Sequence, residues 1–95
     1  MNRKELIEDF LKTFKPKEEQ AWKSCYFFAY YLKKNHDIDA KLIEGISSVN
    51  KIDHWIVRFN GKDEEIHAKA VGLTPDLIEN PEIIWSLEDF ERDNF

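Results

Sequence analysis

Apolar positions recur at helical spacing near the start of the chain, where Leu6, Ile7, Phe10, Leu11 and Phe14 fall on one side of a helical wheel. Asn2 followed by Glu5 has the form of a capping box, so a helix is expected from residue 3 to about residue 14. Pro16 disfavours helical geometry at Lys15, and the polar stretch Lys15-Pro16-Lys17-Glu18-Glu19-Gln20 reads as a connection. From Trp22 to Leu32 the pattern changes to W-K-S-C-Y-F-F-A-Y-Y-L, apolar or aromatic around most of the wheel, as in a helix buried on most sides. Ser24 can cap that helix immediately before Cys25, or the helix can start nearer Lys17 and leave Cys25 in its interior. Lys33-Lys34-Asn35 supply cations and a cap residue at its other end.

Beyond this helix the period shifts from helix to strand. Residues 40–46 and 54–59 read as two strands, Asn60-Gly61 as a hairpin turn, and Glu64 to Val71 as a third strand. Thr74-Pro75 has the form of a helix start, giving a short turn through Ile78. Ile83-Ile84-Trp85 allows one more short strand, and Ser86 caps a last helix carrying Leu87 and Phe90. The expectation is a single α+β domain over 1–95, in which a central cysteine-bearing helix packs on a small antiparallel sheet with flanking helices.

The 95 residues are 42% hydrophobic and 35% charged, enough for one modest core. A formal charge of −5 opposes a nucleic-acid backbone, so no nucleic-acid partner is expected. No apolar run approaches the ~20 residues of a membrane span, and Met1-Asn2-Arg3-Lys4-Glu5 lacks a signal peptide's apolar region, so a cytoplasmic protein without a membrane partner is expected. The lone Cys25 cannot form an internal disulfide or, alone, a structural zinc site.

Candidate chemistry follows from the hairpin. A two-residue turn pairs Phe59 with Lys62, Arg58 with Asp63, Trp55 with Ile66, and His54 with His67, which sets two imidazoles side by side across neighbouring strands; a four-residue loop makes them diagonal neighbours on one face, and a three-residue loop with a bulge puts them on opposite faces. A cysteine is a nucleophile as thiolate, and a helix N-terminus together with an imidazolium lowers its pKa. The imidazole that takes the thiol proton must in turn be oriented by a third polar group. His67 is placed to do this for His54. The backbone N–H of Cys25 is the most general oxyanion donor available.

A cysteine on a buried helix, a histidine opening a strand and a polar residue on the next strand resemble the papain-like fold, in particular its transglutaminase-like and NlpC/P60-like branches. The resemblance covers about residues 20–72 and is carried by the Cys25 helix, Ala40–Gly45, His54-Trp55-Ile56-Val57 and Ile66-His67-Ala68. It implies a minimal papain-like core with Cys25 as nucleophile, His54 as general base and His67 as orienting residue. Gln20 resembles the upstream glutamine of an oxyanion site. The implied activity is a cysteine hydrolase or acyl transferase acting, without cofactor, on an amide, isopeptide or thioester of a peptide or protein. Cys25, His54 and His67 also have zinc-ligand chemistry, but no fourth ligand stands at a usable spacing, so no metal is expected.

A contrasting expectation comes from the same residues. Cys25 beside Tyr26, Phe27 and Phe28 can be a small core hydrophobe. The acidic run Glu79, Glu82, Glu88, Asp89, Glu91 and Asp93 can be a solvated face, or the contact surface of a small acidic binding or inhibitor protein, of phage-encoded or immunity type, that meets a basic partner.

Overall fold

A computed structural model describes residues 1–14, 21–47, 53–67 and 78–95, with side chains described for all of these except 21, 47, 53 and 78–82. Among the described residues the order is α1 (Arg3–Thr13), α2 (Ala21–His36), β1 (Ala40–Ser47), β2 (Asp53–Phe59), β3 (Lys62–Glu64), β4 (Ile78–Ser86) and α3 (Leu87–Asn94). The strands form one antiparallel sheet in the order β3-β2-β1-β4. The protein is thus α+β, with three helices and a four-stranded antiparallel sheet among the described residues.

The capping box at α1 forms as the sequence predicts. Asn2 accepts from the Glu5 amide at 2.9 Å, and the Asn2 amide donates back to Glu5 at 3.0 Å. Leu6, Ile7 and Phe10 face inward, and Phe10 meets the Phe28 ring of α2 at 5.1 Å. The two helices are also fastened by Tyr31, whose hydroxyl donates to Asp9 at 2.6 Å while His36 lies at 3.1 Å. α2 runs on past Asn35 to His36. It closes at Asp37, a non-glycine residue at φ 53°, where the amides of Asp37 and Ile38 donate to the carbonyls of Lys33 and Leu32.

α2 lies on one face of the sheet, with Cys25, Phe28, Ala29 and Leu32 packed in the same core as Leu42, Val57 and Phe59. Strand alternation accounts for this face: Leu42 pairs with Val57 on one side and Trp85 on the other. α3 is capped by Ser86, which accepts from the Asp89 amide at 3.1 Å. Its Phe90 is ringed by Trp22, Tyr26, Trp55, Trp85 and Phe95 with centroids 5.4–6.2 Å away.

The hairpin turn is the predicted one. Asn60 and Gly61 take φ values of 49° and 78°, and Phe59 and Arg58 pair with Lys62 and Asp63. The third strand, expected from Glu64 to Val71, instead runs Lys62–Glu64, and Ile66 and His67 are already helical. Three consecutive acids, Asp63-Glu64-Glu65, are poor strand formers. Arg3 holds the middle one at 2.6 Å, and Ile66 turns into the core with no exposed surface. The Trp55–Ile66 and His54–His67 pairs therefore do not form.

The expected short strand around Ile83 is a nine-residue strand that begins at Ile78. Its register against β1 jumps at Gly45: Glu44 faces Ile83 and Ile46 faces Glu79. The extra residues include Pro81, which cannot donate to a ladder and sits where the pairing is interrupted. The helical turn expected from Thr74 lies outside the described residues, apart from Ile78, which opens β4. Among the described residues, no helix is long and apolar enough to cross a membrane.

Candidate functional site

Ser24, Cys25 and His67 come together at α2, whereas strand alternation sets His54 on the face of β2 opposite to Val57 and Phe59, which pack under α2. Ser24 and Cys25 are the fourth and fifth residues of α2. Both are completely buried. Because the helix begins by Ala21, the Cys25 amide is committed to the carbonyl one turn earlier, and the thiol lies in the helix interior. The start capped by Ser24 is not adopted. Neither a helix-end dipole nor the Cys25 amide is therefore placed to serve an oxyanion.

His54 is the second residue of β2, its backbone paired with Gly45. Its Nε2 lies 2.7 Å from Oε2 of Glu65, and both side chains are mostly buried, at 14% and 17% exposure. A carboxylate only accepts, so Nε2 carries a proton in this contact. Glu65, and not the expected His67, is thus the partner of His54.

His67 is nearly buried and lies against α2 instead, its Nδ1 2.8 Å from the Ser24 hydroxyl. The two expected partners of Cys25 thus make separate contacts. His67 meets the residue before Cys25 in the helix, and His54 meets Glu65. Glu65 was not singled out from the sequence because an unbroken third strand places it opposite Ile56 and away from His54. The available signal was the acid run after the turn, which favours ending the strand early.

The thiol of Cys25 is pushed far above its ordinary pKa, first by burial and then by the negative charge of Glu65, so it is protonated at neutral pH. Every buried side-chain N and O among the described residues has a hydrogen-bond partner. Surface cavities of about 290 Å³ beside Lys33, Lys41 and Ser86, and about 470 Å³ beside Arg3, Ile7 and Leu11, are lined by residues outside this cluster. No group of three or more His, Cys, Asp or Glu among the described residues is arranged to hold a metal ion. Gln20 lies outside the described residues. No protein-family model, curated protein or solved structure matches the chain.

Proposed function

We propose that the protein is a cysteine-dependent hydrolase or acyl transferase of papain-like type, with Cys25 as nucleophile, His54 as general base and Glu65 as the group that orients His54. The observation that carries this reading is the 2.7 Å contact between His54 Nε2 and Glu65 in a mostly buried setting whose charge is felt at the Cys25 thiol. In the reaction the thiol proton passes to the His54 imidazole, where Glu65 stabilises the imidazolium. The sulfur attacks the carbonyl carbon of an amide, isopeptide or thioester. The leaving amine or thiol takes the proton back from His54, and a thioester remains on Cys25. Water or a second amine then accepts the acyl group and the thiol is restored. His67, held by Ser24, supports the Cys25 segment of α2 from the side.

The complete burial of Cys25 favours a second reading, a non-catalytic acidic binding protein on the same scaffold, in which the thiol fills the core and the two histidine pairs are structural. On the first reading the conformation described is a resting one: Cys25 must become accessible and His54 must reach the thiol around β2.

Alkylation of Cys25 by iodoacetamide from about pH 4 to 10 separates the two, because it needs only the thiolate. For the enzyme, native protein reacts with an inflection below the ordinary thiol range of about 8.5, and the inflection moves up in His54→Ala. A thiol that reacts only after unfolding overturns catalysis and leaves the binding protein.

A further inference from the structure

The sheet ends at β4, which among the described residues is paired on one side only, with β1. An open edge presents backbone N–H and C=O groups to any extended chain that approaches it. The segment holding Asn80-Pro81-Glu82 interrupts its own pairing with β1, whereas Ile83–Ser86 is regular. On that regular segment Ile83 and Ile84 are about half exposed, at 51% and 55%, and alternation sends them to opposite faces of the strand. A strand laid alongside would cover both with its own alternating side chains.

Charge selects what that strand is. Residues 78–95 hold six of the nineteen acidic residues (Glu79, Glu82, Glu88, Asp89, Glu91, Asp93) and one of the fourteen basic ones (Arg92). Residues 1–77 therefore carry thirteen of each, and the whole net charge of −5 belongs to β4 and α3. A second copy of the chain would bring one acidic β4–α3 segment against another, so self-pairing is opposed while a cationic strand is attracted. β1 lies between this edge and the strand that carries His54, so the surface is separate from the Cys25 cluster.

We propose that the outer edge of β4 docks an extended segment of a partner protein in which apolar and basic residues alternate, adding it to the sheet as a fifth strand beside Ile83–Ser86.

The test uses the full chain and an N-acetylated, C-amidated Lys-Val-Lys-Val-Lys-Val peptide, with a Glu-Val counterpart and a Lys-Val peptide carrying a central proline. Titration calorimetry measures affinity, and amide hydrogen exchange locates the contact. The expected result is saturable binding of the Lys-Val peptide alone, with slowed exchange of alternate amides within Ile83–Ser86. Affinity falls about tenfold or more when salt rises from about 0.05 to 0.5 M. It falls by about the same factor in Ile84→Lys, a change at a half-exposed position that the fold tolerates, checked by circular dichroism, and it is unchanged in Cys25→Ala. No saturable binding overturns the proposal, as does equal binding of the proline or Glu-Val peptide, or binding without protection in β4. A dimer in sedimentation equilibrium that Ile84→Lys dissolves overturns it in favour of a second copy.

Discussion

At the scale of single residues, two histidines close together in sequence have separate partners, and that separation makes their roles testable. Glu65→Gln keeps the shape at His54 but removes the charge that, in the proposed mechanism, stabilises its imidazolium. With p-nitrophenyl acetate as a simple acyl donor, the rate of Cys25 acylation followed by mass spectrometry should fall by about 10²–10⁴-fold, the usual contribution of a positioned acid–base group. An unchanged rate would remove Glu65 from the proposed site. Ser24→Ala instead takes the hydroxyl from Nδ1 of a nearly buried His67. It should cost about 1–3 kcal/mol of stability in urea unfolding, because a buried polar group loses a partner. A loss near zero would mean that the Ser24–His67 contact does not hold the helix to the segment after β3.

At the scale of elements, what could be read from the sequence follows how local its cause is. The α1 capping box, the Asn60-Gly61 turn with its first two pairs, and the Ser86 cap of α3 each depend on residues within five positions of one another, and all are present. The end of β3 depends on Arg3, 61 residues away from Glu64, and on Ile66 being drawn into a core whose shape no local pattern states. That distant dependence moved His67 from His54 to Ser24 and brought Glu65 in. The helix bearing Cys25 was readable, but its starting point, which decides whether the thiol meets a helix end, was left open by two equally good beginnings. The turn itself offers a clean check. Gly61 sits at φ 78° with no atom within 4 Å of where a Cβ would be, so Gly61→Ala meets no steric clash and only the cost of a left-handed backbone. Thermal unfolding should show a loss of about 1 kcal/mol. A stabilised variant would contradict the turn geometry.

At the scale of the whole molecule, α1 and α3 are each fastened to α2 by a tyrosine whose proton is used in the attachment. Tyr31 donates to Asp9 of α1, and Tyr26 donates to Glu91 of α3 at 2.7 Å. Burial and then the neighbouring carboxylate push both hydroxyls up to about 12 from an ordinary value of 10. A group that holds its proton more tightly when folded stabilises the fold fully below its unfolded pKa, and that contribution is lost as pH rises toward the folded value. The window for both tyrosines is therefore about pH 10 to 12. The buried Cys25 thiol is shifted in the same direction and begins to act near its own ordinary value of 9. The melting temperature should hold up to about pH 9 and then fall steeply. In Tyr26→Phe/Tyr31→Phe the whole curve should start lower, because two hydrogen bonds are missing, but fall less steeply above about pH 10. A double variant that follows the parent's slope would place the alkaline loss elsewhere, leaving the Cys25 thiol as the group to test next with Cys25→Ala.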